Sequence, residues 1–365
     1  GGGAGTGVLT SAADGIVLIG YTAGQSITSG AANTVIGYES GKALTTGGSN
    51  ISLGYQAHLA LVSGDNNVAI GVNAADAMAV GESENIAIGT SALGGMDEGT
   101  AGGDIDGNIA IGHAALVGGD LAGNDRQVQD NIAIGRNSLN STSDNAQTGT
   151  IAIGKDALTA LTSGAGNTAI GYLAMATSTV NHSNVAIGYA AMRYSNGNES
   201  QNVAIGYEAG TSMDNNDSSK SILIGYRAGK GGTGEIDRCV VIGDGAMDGT
   251  GAVGAQQNIF IGNDAGGGTW TTAASNSNVA IGATAMSAAL NGALGNTAIG
   301  HDGLKAVTTG DYNTTLGRGA GTSITTTSYT VAIGNYSLSA ITSTGDYTIS
   351  IGHGAMGGAE IGDGN

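Results

Sequence analysis

The sequence has no proline and one cysteine among its 365 residues. Proline cannot donate a ladder hydrogen bond, so its absence suits a backbone that is paired on both sides through most of its length. The one cysteine, Cys239, excludes a framework of disulfides within the chain. Tryptophan and phenylalanine occur once each, as Trp270 and Phe260, so a hydrophobic core must consist mainly of aliphatic side chains.

Basic residues are also scarce. The chain has 11 Lys and Arg against 29 Asp and Glu, which gives a formal net charge of −18. Nucleic-acid-binding proteins carry clustered Lys and Arg, so this charge argues against that class. Apolar runs long enough to span a membrane are absent from the sequence. The chain begins with Gly1 and shows no signal peptide, so we expect a processed product or part of a longer protein.

A short motif is abundant instead, and it recurs nineteen times. It consists of a β-branched residue, a residue that is usually small, then Ile or Leu, then Gly. Most spacings are 17 to 20 residues, and two are 23. Such a period is typical of repeat proteins, in which each unit stacks on its neighbours. The motif glycines are Gly20, Gly37, Gly54, Gly71, Gly89, Gly112, Gly135, Gly154, Gly171, Gly188, Gly206, Gly225, Gly243, Gly262, Gly282, Gly300, Gly317, Gly334 and Gly352.

Each repeat is numbered here from its motif glycine, position 0, which also gives the coil its name. Position −1 is Ile in seventeen copies, and position −3 is always Val, Ile or Thr. Residues two apart in a strand point to the same face, so we expect both columns to face the core. Position −2 is Ala in eleven copies and should then face outward, where it permits close packing. Position −4 is Asn in thirteen copies, which predicts a corner and a ladder of stacked amides.

The residues after the glycine predict the rest of each coil. Position +3 is always small, and position +4 is mostly Gly, Leu or Met, which should begin a second, less regular strand. The sequence therefore predicts an all-β fold, a parallel β-solenoid of about 19 coils with 17–23 residues per coil. We expect residues 1–15 to form an irregular cap or linker, residues 16–356 a continuous solenoid, and residues 357–365 a partial coil or tail.

Two groups of residues are candidates for surface binding. Tyrosine follows the motif glycine in two blocks of coils, and the second block is Tyr172, Tyr189, Tyr207 and Tyr226. Their rings could form a platform for sugar rings, or stack across coils and merely stabilise the solenoid. The two 23-residue coils carry Gly/Asp-rich inserts, 94–106 and 118–130, which project as binding loops or form structural bulges. The candidates for binding among their acidic residues are Asp104, Asp106, Asp120 and Asp125.

Chemical sites are not indicated by the sequence. It contains no recognisable nucleophile–base–acid set, phosphate loop or metal-ligand spacing, so we predict no enzymatic activity, no catalytic residue, no cofactor and no metal site. Cys239 occupies an Asn position and is interpreted as a substitution there. His113, His301 and His353 share a column but lie in scattered coils. The acidic stretch 214–217 is interpreted as solvated loop rather than as a calcium site.

Two families resemble these repeats. Residues 33–38 (Asn-Thr-Val-Ile-Gly-Tyr) and 167–172 (Asn-Thr-Ala-Ile-Gly-Tyr) resemble the Asn-Thr-Ala-Ile-Gly-Tyr repeats of bacteriophage tail-fibre and other virion-fibre proteins. They are also similar to the head repeats of trimeric autotransporter adhesins, whose motif is close to Asn-Ser-Val-Ala-Ile-Gly-x-x-Ser. The resemblance covers residues 14–356. The adhesin repeats are typically shorter, and their second motif serine is mostly Ala in this chain.

These resemblances imply a left-handed β-roll with three chains side by side. The expected function is that of a structural virion fibre, a shaft that attaches to host glycans or protein receptors. The alternatives are a bacterial adhesin head, another extracellular filament, or an ice-binding solenoid. The expected partners are copies of the chain itself and a host surface, without nucleic acid or membrane insertion. The expected location is extracellular or on the virion surface.

Overall fold

The computed structural model describes residues 2–7, 9–10, 12–96, 104–119, 127–142, 146–213, 218–340 and 346–358. Two compact units, residues 1–183 and 184–365, make up the chain and are described separately. Within the described residues, all regular secondary structure is β-strand and none is helix. This confirms the all-β prediction.

The first unit is a parallel solenoid built on nine motif strands. Each strand pairs in parallel with the motif strand of the next coil, which gives eight complete turns. Its strands are β1 (Val17–Ile19), β2 (Thr34–Ile36), β3 (Ile51–Leu53), β4 (Val68–Ile70), β5 (Ile86–Ile88), β6 (Asp104–Asp106), β7 (Ile109–Ile111), β8 (Gln127–Gln129), β9 (Ile132–Ile134), β10 (Gln147–Thr148), β11 (Ile151–Ile153) and β12 (Thr168–Ile170).

The second unit repeats this plan with ten motif strands and nine complete turns. The register is constant in both units, since each motif position lies beside the same position of the next coil. The strands are β13 (Val185–Ile187), β14 (Val203–Ile205), β15 (Ile222–Ile224), β16 (Ile236–Asp237), β17 (Val240–Ile242), β18 (Ala255–Gln256), β19 (Ile259–Ile261), β20 (Val279–Ile281), β21 (Thr297–Ile299), β22 (Thr314–Leu316), β23 (Val331–Ile333) and β24 (Ile349–Ile351).

The motif glycine is required where neighbouring coils approach most closely. The Gly37 amide donates to the carbonyl oxygen of Ile19 in the preceding coil, at 2.8 Å. Gly37 has a φ of 141°, a backbone conformation that residues with a side chain rarely adopt. A Cβ at this position would collide with the backbone carbonyl of Gly54 in the following coil. The glycine column therefore follows from the coil spacing itself.

A second strand forms in only some coils, and not where we expected it. In the first unit β6, β8 and β10 pair in parallel, and in the second unit β16 pairs with β18. These strands precede the motif by about four residues. Position +4, where we predicted a second strand to begin, adopts left-handed backbone instead, with φ of 50° at Leu93 and 48° at Met192. The chain turns there, so the prediction of a strand starting at position +4 was wrong.

The sequence-based assignment of inner and outer faces was also wrong. Ala186 and the other ten alanines at position −2 are fully buried, whereas Ile187 at position −1 is half-buried. At position −3, Ile51 is 41% exposed, and at position −1, Leu53 is 40% exposed. Both flanking columns thus point away from the interior. The predicted alternation of inward and outward side chains along the strand was correct, but the small residue at position −2 is the one that points inward.

The interior is thin, which explains this choice. Position −2 faces position +4 of the same coil, and the two side chains share one space. Ala186 is buried with Met192 in the Gly188 coil, and Phe260 is buried with Gly266 in the Gly262 coil. A Cβ added to Gly266 would lie 2.9 Å from Cδ2 of Phe260. In the Gly262 coil the large side chain of Phe260 thus requires a small residue on the opposite wall.

The asparagines at position −4 form the expected amide ladder, but inside the solenoid. The backbone N–H of Asn50 donates to Oδ1 of Asn33 at 2.9 Å, and the backbone N–H of Asn67 donates to Oδ1 of Asn50 at 2.9 Å. Nδ2 of Asn33 donates to the carbonyl oxygen of Gly47 in the next coil, at 2.8 Å. All thirteen asparagines are buried. The ladder thus satisfies polar groups that the interior would otherwise leave unpaired.

Cys239 occupies this column in the Gly243 coil. Its backbone N–H donates to Oγ of Ser221 at 3.1 Å, and its Sγ donates to the carbonyl oxygen of Ala255 at 3.2 Å. The second bond replaces the one that an asparagine amide makes to the next coil. Burial raises the pKa of the Cys239 thiol to about 11. Cys239 is therefore a protonated structural side chain, as its column predicted.

The N-terminal residues continue the stacking without a motif strand of their own. The amide of Gly5 donates to the carbonyl oxygen of Ala23 at 3.2 Å, and that of Gly7 donates to Gln25 at 2.8 Å. Both bonds run to the Gly20 coil. This segment covers the part of the first coil that follows its motif glycine.

Candidate functional site: the outer face of the motif strands

The outward-facing side of the motif strands is the most continuous surface feature of each unit. Positions −4 and −2 are buried in most coils, so positions −3 and −1 of the motif strand share the other side; exposed residues at positions −5 and +1 flank them, and position −5 has left-handed backbone in most coils. We call these four columns the outer face. Position −5 forms its first rim and position +1 its second rim. The face is thus four side chains wide and repeats once per coil.

The two central columns of the outer face are uncharged in every coil, and position −1 is always Ile or Leu. They contain only Val, Ile, Leu and Thr. Many of these side chains are more than a third exposed, among them Val17, Ile222 and Ile299. Exposed apolar residues scattered singly are ordinary on a protein surface, whereas a contiguous stripe indicates an interaction surface. Since neither central column contains a charge, the stripe is uninterrupted along each unit.

Tyrosine ladders lie along the second rim. In the first unit, the rings of Tyr21 and Tyr38 stack with centroids 5.3 Å apart, and those of Tyr38 and Tyr55 with centroids 5.2 Å apart. In the second unit, the corresponding distances are 4.9 Å for Tyr189 and Tyr207, and 5.2 Å between Tyr207 and Tyr226. Stacked rings cover one another's faces and leave their edges exposed. This geometry favours stabilising cross-coil stacking over a sugar platform, which needs open ring faces.

Of the four tyrosines predicted for surface binding, three therefore form one ladder. Tyr172 belongs to the first unit, where Nζ of Lys155 lies 5.1 Å from its ring centroid. That distance is within the range of a cation–π interaction. Tyr172, Tyr189, Tyr207 and Tyr226 are all at least 40% exposed.

A third tyrosine ladder lies along the first rim, and sequence reasoning did not find it. The ring centroids of Tyr312 and Tyr329 are 5.4 Å apart, and those of Tyr329 and Tyr347 are 5.0 Å apart. All three residues have left-handed backbone, with φ between 55° and 71°. The available signal was tyrosine at the same distance before the glycine in three successive coils.

The acidic candidates lie partly within the described residues. Asp104 and Asp106 are the ends of β6, while Asp120 and Asp125 fall outside the described residues, as does the stretch 214–217. Oδ1 of Asp106 accepts the backbone N–H of Ser83 at 2.6 Å. Partial burial is the largest cause of the raised pKa of Asp106, and the negative charges of Asp104, Glu84 and Asp130 add to it. Asp106 thus has a structural hydrogen bond in a negatively charged neighbourhood.

Other candidate chemistries receive no support from the geometry. No group of three or more His, Cys, Asp or Glu able to hold a metal ion occurs among the described residues. Oγ1 of Thr45 donates to the carbonyl oxygen of Val62 at 3.0 Å, and Oγ1 of Thr308 donates to Thr325 at 3.1 Å. These threonine hydroxyls are bound to the next coil rather than presented as a regular array, as an ice-binding surface requires.

The described residues include no helix long and apolar enough to cross a membrane. Comparisons of the chain with protein-family models, with curated proteins and with solved structures gave no match.

Proposed function

We propose that this chain is a non-enzymatic structural repeat fibre of a virion, and that copies of it associate side by side through the outer face. The observation that carries the proposal is the uncharged, mainly aliphatic stripe at positions −3 and −1. A thin solenoid that exposes Ile and Val in every coil gains burial by packing against a surface with the same repeat. A second copy of the chain has that repeat by construction.

The finer features of the proposal rest on the resemblance of the motif to fibre and adhesin repeats. It includes a left-handed coil, three chains per fibre, and a location outside the cell or on the virion surface. The net charge of −18 supports this role, since it keeps such assemblies soluble and apart from one another. The fibre acts as a shaft. Contact with host glycans or protein receptors is proposed for the acidic strand β6, since the tyrosine ladders belong to the outer face through which copies associate.

Sedimentation at micromolar concentration tests the assembly. The unsubstituted chain should sediment as a stable oligomer with three copies. Replacing Ile187 and Ile205 with Asp should shift it towards the monomer while circular dichroism retains the β-sheet spectrum, because both side chains lie on the outer face. The matched control replaces Tyr194, which is exposed outside the outer face, with Asp and should leave the oligomer intact. A stable monomer of the unsubstituted chain would contradict the proposal.

A further inference from the structure

The side chains that oxidants attack most readily are divided unevenly between the interior and the surface. Cys239, Trp270 and seven of the eight methionines are buried. Burial also raises the pKa of the Cys239 thiol to about 11, which keeps it out of the reactive thiolate form. All twelve tyrosines, in contrast, are at least 40% exposed. One-electron oxidation of the folded chain therefore falls mainly on tyrosine.

Most of these tyrosines are stacked in threes along the rims of the outer face. Neighbouring ring centroids are 4.9 to 5.4 Å apart, and the ring planes lie within 22° of parallel. Stacking leaves open the ring edges, which carry the hydroxyl group and the two carbons beside it. The first ladder is Tyr21, Tyr38 and Tyr55, the second is Tyr189, Tyr207 and Tyr226, and the third is Tyr312, Tyr329 and Tyr347.

We infer that the three tyrosine ladders are sites of oxidative dityrosine linking, which staples neighbouring coils of one chain. The co-reactant is a one-electron oxidant, such as a haem peroxidase with hydrogen peroxide. Two neighbouring phenols each lose one electron to the oxidant and one proton to water, and a ring carbon beside one hydroxyl joins its counterpart. The hydrogen on each joined carbon then moves to the phenolic oxygen, which restores both hydroxyl groups. One peroxide accepts the two electrons and two protons and becomes two molecules of water.

The coil spacing brings successive rings of a ladder within reach of one another. The Glu208 N–H donates to the carbonyl oxygen of Tyr189, and the Arg227 N–H donates to that of Tyr207, both at 2.8 Å. These backbone bonds hold the three rings of the second ladder one coil apart. Rotation about the Cα–Cβ and Cβ–Cγ bonds brings neighbouring ring edges together, and the exposed rim leaves room for it. Tyr189 and Tyr226 are two coils apart, about 10 Å, so each link joins the middle ring to one neighbour.

The expected consequence is mechanical. Both rings of a pair belong to one chain, so the inference does not depend on the proposed self-association. A link between neighbouring coils closes a covalent loop of 17 to 19 residues. Such a loop restricts the unfolded chain and so favours the folded one. The linked coils should therefore resist thermal unfolding better than unlinked coils.

Treatment of the dilute chain with a haem peroxidase and hydrogen peroxide tests the linking. The blue fluorescence of dityrosine measures the yield, and the product should migrate as a single chain on a denaturing gel. Mass spectrometry of tryptic peptides locates the links, because Arg193 and Lys220 separate the three tyrosines of the second ladder. Tyr207 should be joined to Tyr189 or to Tyr226, with the loss of two hydrogen atoms per link.

Two matched variants separate stacking from exposure. Tyr207→Phe keeps an aromatic ring in the stack but has no hydroxyl hydrogen to lose, so both peptide pairs of the second ladder should disappear. Tyr194→Phe is the control, since Tyr194 is 42% exposed and Tyr207 is 43% exposed. The ring centroid of Tyr194 lies 4.8 Å from the guanidinium of Arg193 rather than on another tyrosine. This control should leave the links of the second ladder unchanged.

Three outcomes would overturn the inference. The first is a folded chain, judged by circular dichroism, that forms no dityrosine. The second is linking mainly between chains, or linking of Tyr194 as often as Tyr207, since exposure rather than stacking would then select the site. The third is an equal midpoint of thermal unfolding for linked and unlinked chains, because the link should raise it by several degrees. Sedimentation tests the self-association separately, and none of these outcomes decides it.

Discussion

The Gly188 and Gly262 coils enclose the same interior with opposite side chains. In the Gly188 coil the motif strand supplies Ala186 and the opposite wall supplies Met192, whereas in the Gly262 coil the strand supplies Phe260 and the wall supplies Gly266. The side chains of Ala186, Met192 and Phe260 are all fully buried. The difference teaches that either wall can supply the large side chain that fills the interior of a coil.

The comparison of the Gly188 and Gly262 coils depends on position −2 pointing into the interior, which a charged substitution tests. We expect Ala186→Arg to destabilise the second unit by several kcal/mol, because it places an unpaired charge in a thin core. Ile187→Arg, one residue further, should cost far less folding stability and should act mainly on assembly. Urea unfolding followed by circular dichroism separates the two. Equal losses of stability in both variants would contradict the assignment of inner and outer faces.

The interior of the Gly262 coil can be emptied by truncating Phe260, its large buried side chain. Phe260→Ala should cost about 3–5 kcal/mol of unfolding free energy, since the wall opposite is glycine and leaves a cavity. The loss includes the edge contact with Trp270, whose ring centroid lies 6.1 Å away. Adding Gly266→Met should recover part of the stability, because this creates the combination found in the Gly188 coil. No recovery in thermal unfolding would show that the two walls do not share one space.

The interior of the Gly188 coil can be overpacked by enlarging the side chain at position 186. Ala186→Leu should cost about 1–3 kcal/mol, since Met192 already occupies the space. Met192→Gly in the same chain should reverse the loss, as the result matches the Leu223 and Gly229 pair of the Gly225 coil. Glycine also adopts the left-handed backbone of Met192 without strain. A double variant less stable than Ala186→Leu alone would break the comparison.

The Gly54 coil sharpens the comparison with a polar pair. Ser52 and His58 fill its interior, with Oγ of Ser52 2.7 Å from Nδ1 of His58. Burial lowers the pKa of His58 from its ordinary value of 6.5 to about 3. The unfolded chain therefore binds a proton that the folded chain does not, so stability is full above about pH 6.5 and falls towards pH 3.

The slope of this loss should approach about 1.4 kcal/mol per pH unit. Replacing His58 with Leu, a residue common at position +4, should remove that contribution. Chemical denaturation from pH 7 to pH 4 measures both slopes. If the two chains lost stability in parallel over this range, His58 would not be the group that titrates.

The sequence determined the repeat, the parallel strand class and the register. These follow from the motif glycine, the β-branched column and the Asn column, because each reports a local backbone requirement: close approach of coils, extended conformation, and pairing of an amide with the next coil. The periodicity also placed Cys239 in the Asn column, at position −4 of the Gly243 coil. The same reading located two tyrosine ladders but missed the one at Tyr312, Tyr329 and Tyr347.

Only the tertiary structure decided which side of the motif strand faces the interior. A period of two fixes the alternation but not its sign, and hydrophobicity favoured Ile187 over Ala186. The thin interior reversed that preference, since Ala186 and Met192 are both fully buried there while Ile187 is only half-buried. The left-handed backbone at Leu93 and Met192 was likewise invisible to residue propensity. Bonds to the neighbouring coil hold it: the Leu93 N–H donates to Ala115 and the Met192 N–H to Ala209, both at 2.9 Å.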